Sequence, residues 1–583
     1  MAKRTIEETT VDPAAQAMLK RAEELGLSTA FSRADSMSAC NIGGAGMCCK
    51  NCGMGPCRLV KSGDRGICGA TIETIQARNL ARGISAGASA HSDHGRDMAF
   101  TLKAVANGEA QGYTIKDEDK LTRLAHGYGI PVEGRSVEEI ANDLADLYIA
   151  QFGQQRGEII CTRFAPPRRQ QIWRDMGVMP RGVDREVVEV LHRTHIGDDQ
   201  DYENILNSAV RCALSDGWGG SMIATEVSDI LFGTPTPQIS QVNLGVLKED
   251  EVNIVVHGHE PTLSEMIVAA SQDPEVVEYA KSKGAKGICL SGICCTANEV
   301  MMRQGIPSAG NFLHQELAIL TGAVEAMVVD VQCIMQALGE LSGHFHTELI
   351  TTSPKVHIPG ATHIQFDEHR AYDIAKEIVK RACDNFPNRG ETFIPDIKHD
   401  VVPGFSHEYI DYMLGGTYRR SFRPLNDAIM SGRIRGAVAV IGCSNPRVQQ
   451  DAINDKLVQT FLANDILVVQ TGCGAIASAK IGMLRGEGAM EFAGPGLREV
   501  CEATGMPPVL HMGSCVDNSR ILTVLTQIAS EGGLGDDIAD IPAVGMAPEW
   551  MSEKALSIAT YCVASGAYVI MGVSSPVSGM EKV

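Results

Sequence analysis

The chain is 583 residues long, which suits roughly three or four domains of about 150 residues each. Its formal net charge of −20 argues against a nucleic-acid partner, because phosphate binding requires a basic face. The N-terminus is charged and lacks the apolar core of a secretion signal. We therefore expect a cytoplasmic protein whose 18 cysteines do not form disulfides, and in which cysteines serve to bind metal.

Residues 1 to about 235 carry the pattern of helices. Asp12 in front of Pro13 is typical of a helix N-cap, and Gly26 predicts the end of that helix. Ser136 and Glu139 form a capping box ahead of a run with helical spacing. We predict a helical N-terminal domain over 1–235, with cysteine-rich loops inserted between its helices.

A cysteine-rich stretch between residues 40 and 68 holds six of the 18 cysteines. Four of them, spaced C-x2-C-x4-C-x10-C, are Cys49, Cys52, Cys57 and Cys68. Glycine-rich loops let thiolates converge, and four cysteine thiolates are the usual holder of a [4Fe–4S] cluster. Structural zinc is the alternative, but zinc modules usually separate two C-x2-C pairs by a longer spacer. The spacing therefore favours iron–sulfur.

Cys40 and Cys48 are left over beside this complete set. Two thiolates cannot hold a cubane, which needs four ligands. A twofold axis would bring the same pair from a second subunit, which suggests a homodimer with a shared cluster. Two buried thiols are the alternative that the local sequence leaves open.

From about residue 240, short apolar and β-branched runs alternate with helical stretches, a pattern that predicts parallel sheets. The runs form two sets, at 252–256, 286–290, 327–331 and 349–352, and at 437–441, 466–469, 509–511, 541–544 and 568–571. We predict two parallel-sheet α/β domains, at 236–395 and 396–583. The uncharged run 555–579 contains a turn at Ser574-Ser575-Pro576, so we interpret it as a helix, a loop and a strand, and we predict no transmembrane segment.

Thiol or imidazole side chains follow six of these predicted strands. They are His257 and His259, Cys294 and Cys295, then Cys333, Cys443, Cys473 and Cys515. A single such cysteine would be interpreted as a buried thiol. Because ligands bind at the carboxyl ends of parallel strands, six strand ends together predict five thiolates and one imidazole in a cleft between the sheets. These exceed the ligands of one cubane, and sulfur-rich surroundings suit iron and nickel.

The motifs resemble those of the anaerobic nickel–iron–sulfur carbon monoxide dehydrogenases, in the catalytic subunit of the monofunctional type. The matching segments follow the family order over nearly the whole chain: Cys49-x2-Cys52-x4-Cys57, His91-Ser92-Asp93-His94-Gly95-Arg96, the run from His257 to Glu265, Gly292-Ile293-Cys294-Cys295, Gln332-Cys333, Gly442-Cys443, Thr471-Gly472-Cys473-Gly474, and the run from His511 to Asn518.

The resemblance implies a helical N-terminal domain followed by two Rossmann-like domains. It also implies three clusters: a [Ni–4Fe–4S] cluster on His259, Cys295, Cys333, Cys443, Cys473 and Cys515; a [4Fe–4S] cluster on Cys49, Cys52, Cys57 and Cys68; and a [4Fe–4S] or [2Fe–2S] cluster shared through Cys40 and Cys48 of two subunits. Cys294 and His257 are then neighbours of the site and not ligands.

The reaction that the resemblance implies is CO + H2O ⇌ CO2 + 2H⁺ + 2e⁻. Electrons would leave through the cysteine-held clusters to a ferredoxin-like carrier. Lys554 matches the family lysine that stabilises a negative oxygen, and His91 matches the acid/base residue. Asp216 is a candidate for orienting an active-site group.

Two departures from the family pattern stand out. Family members often carry histidines at three-residue steps that are thought to conduct protons, whereas here the steps are His91, His94, Asp97 and Phe100. Phe100 cannot pass a proton, so the exit should divert or use water. The family usually continues past the position of Val583, so we expect a missing or shortened last element.

Other functions fit parts of the sequence. A hybrid-cluster hydroxylamine reductase has a related fold and a different cluster. A non-enzymatic iron–sulfur carrier or redox sensor needs no open metal site, so the six strand-end ligands argue against it. Association with an acetyl-CoA synthase stays open.

A basic segment surrounds the cysteine loops. It contains Lys50, Arg58, Lys61 and Arg65 against Asp64 alone. Such a patch predicts docking of an acidic ferredoxin-like carrier, while cations that offset the clusters or stay solvated are the alternative.

Overall fold

The computed structural model describes residues 4–579, so the expected shortening at Val583 lies outside the described residues. Within that range a helical region precedes two parallel sheets, which confirms the predicted fold class. No helix among these residues is both long enough and apolar enough to cross a membrane.

The N-terminal region is helical, as predicted. Asp12 caps a helix that ends at Gly26, where φ is 68°, and the capping box of Ser136 and Glu139 is present. The α-helices up to residue 232 are Ile6–Thr9, Pro13–Leu25, Ala30–Ser36, Asn41–Gly44, Ile72–Ala106, Glu118–Tyr128, Val137–Gly153, Pro167–Asp175, Val183–Arg193, Tyr202–Ser215 and Ser221–Phe232. The cysteine loops lie between Ala30–Ser36 and Ile72–Ala106 and contain one short antiparallel pair, Cys48–Cys49 with Cys57–Arg58.

The 35-residue helix Ile72–Ala106 is central to this region. It packs against Val137–Gly153, Tyr202–Ser215 and Ser221–Phe232, and also against Glu553–Ala564 from the C-terminal part of the chain. Gly87 makes that last contact possible, because a Cβ there would lie 2.3 Å from the carbonyl oxygen of Glu553. The close approach brings the start of Glu553–Ala564 beside the middle of the long helix.

Among the residues that the structure describes, the first sheet has eight strands. In spatial order they are His399–Val401, Ser240–Val242, Ser308–Gly310, Ile288–Ile293, Val252–Gly258, Val324–Val329, Glu348–Thr351 and Thr362–His363. All neighbours are parallel except the first pair. The accompanying helices are Pro261–Gln272, Pro274–Ser282, Cys294–Gln304, His314–Leu320, Ala337–Ser342 and Ala371–Asn385.

The strand His399–Val401 completes the edge of this sheet, although it follows the predicted boundary at 395. It pairs antiparallel with Ser240–Val242, so the first sheet extends past that boundary. The other domain limits stay predictions.

Within residues 4–579, the second sheet has five parallel strands in the order Val509–Gly513, Ile466–Thr471, Gly436–Val440, Ala543–Ala547 and Tyr568–Met571. Its helices are His407–Arg419, Arg423–Met430, Ala452–Ala463, Gly472–Ala479, Gly486–Met490, Pro495–Thr504, Asn518–Glu531 and Glu553–Ala564. Glu553–Ala564 and Tyr568–Met571 are the helix and strand expected in the uncharged run 555–579.

The N-terminal segment ties the two sheet domains together. The buried carboxylate of Asp12 accepts hydrogen bonds from His314 Nε2 and from Lys480 Nζ, each at 2.8 Å. His314 belongs to the first α/β domain and Lys480 to the second. Because such a buried pair is costly to break, Asp12 fixes the relative placement of the two domains whose strand ends face each other.

Candidate metal centre

The six strand-end residues meet at one place in the structure. His259 follows Val252–Gly258, Cys295 is the second residue of the helix after Ile288–Ile293, and Cys333 follows Val324–Val329. Cys443, Cys473 and Cys515 follow three strands of the second sheet in the same way. All six side chains line a single cavity between the two domains. The structure therefore brings together the residues that the sequence placed at strand ends.

Three of these side chains approach each other most closely. The ligand atoms of His259, Cys295 and Cys515 all lie within 4.8 Å of one another. The backbone N–H of Cys515 donates to Cys295 Sγ at 3.3 Å, and that of Phe312 donates to Cys473 Sγ at 3.4 Å. Backbone donors of this kind stabilise negative sulfur, as in metal–thiolate sites.

The His259 ring is oriented by its Nδ1 atom. Nδ1 lies 3.2 Å from the carbonyl oxygen of Val331, so it carries the proton and Nε2 keeps its lone pair. Nε2 points to the centre of the site, where Lys554 Nζ lies 2.5 Å away. Burial, and then the ammonium of Lys554, holds the pKa of His259 well below its ordinary value. The imidazole is thus neutral and available as a ligand.

The clustered thiols perturb one another. Burial, and then the thiol of Cys333, raises the pKa of Cys443 to about 12, and burial raises the pKa of Cys295 well above its usual value. The hydrogen bond from Cys295 lowers the pKa of Cys515 to about 6 against the effect of burial. Five thiolates this close repel each other, so only bound cations can hold them together in the deprotonated form.

Among the described residues, Lys554 is the cation that lines the site. It is the second residue of Glu553–Ala564, is buried, and donates to Gln332 Oε1 at 2.9 Å. Burial alone would lower its pKa, but the thiolates, with Cys333 first, raise it well above the usual value. Gln332 also donates to the carbonyl oxygen of Ala90, beside His91, at 2.9 Å. It therefore links Lys554 to the long helix.

His91 and Asp216 form a buried pair. His91 Nδ1 lies 2.9 Å and 3.0 Å from the two carboxylate oxygens of Asp216. The hydroxyls of Ser221 and Ser557 donate to the same carboxylate at 2.6 Å each. His91 Nε2 has no hydrogen-bond partner among the described residues. The carboxylate fixes the tautomer of the ring and leaves Nε2 free for proton transfer.

The cysteines of the N-terminal loops also converge. Cys49, Cys52, Cys57 and Cys68 line one small cavity under the start of the long helix. Cys40 is exposed, and its Sγ accepts a hydrogen bond from Gly43 N at 3.4 Å, while Cys48 is half-buried. The structure thus separates the set of four from the remaining pair, as the spacing predicted.

His257 and Cys294 lie beside the site. His257 is buried, with Nε2 3.0 Å from Gln315 Oε1. Cys294 is buried at the start of its helix with a φ of 63°. The roles of Gln332 and of Asp330, which follows the strand Val324–Val329, were missed from sequence. A polar residue at the end of a buried strand was the signal that could have revealed Asp330.

Apolar side chains continue the cavity away from the metal ligands. It extends over the second sheet past residues such as Leu467, Val469, Leu522, Leu525 and Ile528. Its free volume is about 100 Å³. An apolar lining of this kind admits small uncharged molecules and disfavours ions.

A family model described as the prismane/CO dehydrogenase family matches residues 47–583. The chain belongs to this family. It is 55% identical to carbon monoxide dehydrogenase 1 of Methanosarcina mazei, over 100% of this chain and 92% of that protein. It is 43% identical to carbon monoxide dehydrogenase 1 of Carboxydothermus hydrogenoformans, over 98% of this chain and 92% of that protein. A Ni-free crystal structure of carbon monoxide dehydrogenase from Thermococcus sp. AM4 matches with a TM-score of 0.97 and 48% identity, covering 100% of this chain and 92% of that chain.

The residues present fit a nickel–iron–sulfur cluster. The donor set is five thiols and one imidazole whose Nε2 lone pair points inward. Thiolate and imidazole donors suit iron and nickel, and the mutual repulsion of the thiolates creates a demand for several positive charges. The four cysteines of the N-terminal cavity match the ligand set of a [4Fe–4S] cluster.

Proposed function

We propose that the protein oxidises carbon monoxide with water to carbon dioxide, two protons and two electrons, and that the reaction is reversible. His259, Cys295, Cys333, Cys443, Cys473 and Cys515 would hold a nickel–iron–sulfur cluster, which supplies the sites for CO and water and accepts the electrons. The observation that carries the proposal is that one neutral imidazole, five thiols and a buried lysine line a single cavity at facing strand ends.

Lys554 would stabilise the negative charge that develops on the substrate oxygen. Its ammonium is buried and stays protonated, because the surrounding thiolates more than offset the cost of burial. A fixed positive charge in a site that excludes water stabilises a developing anion without reorganisation. Gln332 holds Nζ at 2.9 Å and so limits where the charge can be placed.

His91 would take up and release protons at the site. Asp216 fixes its Nδ1–H, so Nε2 is the atom that accepts a proton from water and passes it on. The carboxylate also stabilises the imidazolium that forms for the duration of the transfer.

Protons would leave along the helix Ile72–Ala106. His94, one turn beyond His91, is buried, and its two ring nitrogens have no partner among the described residues. Burial lowers the pKa of His94 to about 3, so it is neutral and passes protons without holding them. Asp97 follows and pairs with Lys355, which also lies 2.7 Å from Asp93. Phe100 is 46% exposed, so the path would end at the carboxylates and bulk water.

The apolar cavity would be the route for CO and CO2. Its walls between the second sheet and its helices are aliphatic, while the ligand-lined end is charged. Uncharged gases partition into such a space more readily than hydroxide or hydronium. This separates the route of the gas from the proton path on the long helix.

A homodimer would complete the pair Cys40 and Cys48 into a shared cluster of four thiolates. Large apolar side chains are exposed in the same segment, with Met37 at 63%, Val60 at 55% and Ile67 at 67%. Exposed apolar side chains of this kind mark contact surfaces. Sedimentation of the anaerobic protein tests the dimer, and Cys40→Ala should remove one cluster per dimer while leaving the cluster of Cys49, Cys52, Cys57 and Cys68 intact.

A ferredoxin-like carrier would dock at the basic segment around these loops. Lys50, Arg58, Lys61 and Arg65 are all exposed, and none forms an ion pair with another described residue. The carboxylate of Asp64 is engaged by the backbone N–H groups of Val60 and Lys61 at 3.0 Å and 2.9 Å. The free cations give the segment a local positive field that attracts an acidic partner despite the acidic chain.

The experiment that tests the function is CO-dependent reduction of a viologen dye by anaerobically purified protein, with ¹³CO2 measured from ¹³CO. We expect one CO2 for each pair of electrons delivered to the dye. Hydroxylamine is the matched alternative substrate. Ammonia formation from hydroxylamine without any CO2 from CO would replace the proposal by the hydroxylamine reductase. Absence of both activities in protein that carries its metals would favour an electron carrier.

A further inference from the structure

Asp330 connects three of the loops that carry cluster ligands. It directly follows the strand Val324–Val329 at the edge where the ligands meet. Its Oδ1 accepts from the backbone N–H of His259 at 2.7 Å and from the backbone N–H of Val331. Its Oδ2 accepts from the hydroxyl of Thr296, next to Cys295, at 3.0 Å. We propose that Asp330 is a positioning residue that sets the geometry of His259, Cys295 and Cys333 for metal binding, an inference that rests on the proposed function.

Two contacts of Asp330 act together on the imidazole of His259. One holds the backbone of His259 itself. The other holds the N–H of Val331, whose carbonyl oxygen is the partner of His259 Nδ1 at 3.2 Å. The carboxylate therefore orients the ring through the peptide of Val331 and fixes which nitrogen faces the site. Partners of this kind set the tautomer and direction of metal-binding histidines.

The segment after Asp330 needs an anchor because its backbone is strained. Gln332 and Cys333 have φ values of 65° and 54°, a region that side chains with a Cβ rarely adopt. Such conformations persist only where the surroundings over-determine them. Asp330 holds the start of this turn, and the turn delivers Gln332 to Lys554 and the Cys333 thiol to the cavity.

The loop before His259 is shaped around the same carboxylate. Gly258 has a φ of 141°, and a Cβ on it would lie 1.6 Å from Asp330 Oδ1. Only glycine leaves room for the carboxylate to reach the N–H of His259. On the other side, Cys294 has a φ of 63° immediately before Cys295, and the Thr296 hydroxyl ties that turn to Asp330. Each of the three loops thus contains a residue with a positive φ and also contacts the Asp330 carboxylate.

The second α/β domain repeats the arrangement for Cys515. Asp517 Oδ2 accepts from Ser514 N at 2.7 Å, and its Oδ1 accepts from the Arg520 guanidinium at 3.0 Å and from Thr225 at 2.9 Å. A carboxylate that holds the peptide next to a ligand therefore occurs in both domains. This recurrence supports a positioning role over an accidental contact.

The test compares Asp330→Ala, Asp330→Asn and the control Glu265→Gln in the anaerobically purified holoenzyme. Glu265 is a buried carboxylate of the same domain that accepts from Gln304 at 2.9 Å and does not line the cavity. Asparagine keeps the Oδ1 acceptor and can donate to Thr296, whereas alanine loses all three contacts. Nickel and iron per chain, the histidine nitrogen coupling in pulsed EPR, and thermal unfolding are measured for each variant.

We expect Asp330→Ala to lose about 10–100-fold in nickel retention against a competing chelator, as for other partners of metal ligands, with an altered nitrogen coupling. The N-terminal cubane signal should stay at the wild-type level, and Asp330→Asn should retain most of its nickel. Glu265→Gln should match the wild type in all metal readouts. Wild-type nickel and coupling in Asp330→Ala, or equal loss of the N-terminal cubane, would overturn the proposal. If the wild type itself carried no nickel, the proposed function would fail instead.

Discussion

Replacing Lys554 by methionine removes the one positive side chain that the described residues place against the ligands. Nζ lies 2.5 Å from His259 Nε2 and 2.9 Å from Gln332 Oε1, and the side chain is buried. Methionine has a similar length and no charge, so the substitution tests the contribution of the ammonium charge with little change in side-chain size. We expect the clusters to assemble, because Lys554 is not a ligand.

The size of the effect follows from the burial of the charge. Two unit charges about 4 Å apart interact by about 4 kcal/mol at an effective dielectric constant of about 20. An interaction made only as the substrate becomes negative lowers the barrier by that amount, which corresponds to about 10³-fold in rate. We therefore expect kcat for CO oxidation to fall about 10²–10³-fold, in the range known for single oxyanion donors.

The assay is CO-dependent viologen reduction, with nickel and iron measured on the same sample. Lys554→Arg is the matched control, because it keeps the charge in a different shape and should recover part of kcat. A methionine variant with full metal content and wild-type kcat would refute the assignment. Loss of nickel in the methionine variant, restored by arginine, would mean that Lys554 serves assembly and not turnover.

The remaining predictions concern ligands, pH and docking. Cys295→Ala and His259→Ala should each abolish CO oxidation while the EPR signal of the N-terminal cubane persists, and an active variant of either would contradict the ligand assignment. The pKa of His94 is about 3 in the folded protein and about 6.5 in the unfolded chain. Between these two pH values only the unfolded chain takes up the proton, so the free energy of unfolding falls as the pH falls. From pH 7.5 to pH 5.5, protonation of His94 in the unfolded chain should lower the free energy of unfolding of the metal-free protein by about 1.4 kcal/mol. Denaturant titrations at the two pH values measure this drop, and it should be smaller by that amount in His94→Gln. A Lys61→Glu, Arg65→Glu double variant should slow electron transfer to an acidic ferredoxin and weaken its salt dependence, and an unchanged rate at low and high salt would place docking elsewhere.

Much of the fold could be predicted because its signals are local. The β-branched runs at 252–256 and 437–441 became Val252–Gly258 and Gly436–Val440, with shifts of a few residues at the ends. The strands Ser240–Val242, Ser308–Gly310 and Thr362–His363 were missed, since two or three residues carry no periodicity. The strand His399–Val401 could not be assigned to the first sheet from sequence, because its pairing joins segments more than 150 residues apart.

The candidate site divides in the same way. The ligands could be located because each follows a predicted strand, and parallel strands end at one edge. The contact of Lys554 with His259 could not be worked out from local pattern, because it depends on how Glu553–Ala564 packs against the long helix. The same holds for Gln332 and Asp330, whose partners lie on other elements. The sequence order of strands and ligands indicates which metal-binding side chains reach the carboxyl edge of a sheet. Only the packing of the folded chain determines which other side chains orient those ligands.

The most direct test of the account is the metal content of the anaerobically purified protein, measured together with its CO oxidation. The account predicts nickel and iron in every active preparation and an activity that rises in proportion to nickel. It also predicts that nickel and CO oxidation are both lost when His259 is replaced by alanine. Protein that oxidises CO without nickel, or that carries nickel fully after loss of His259, would contradict it.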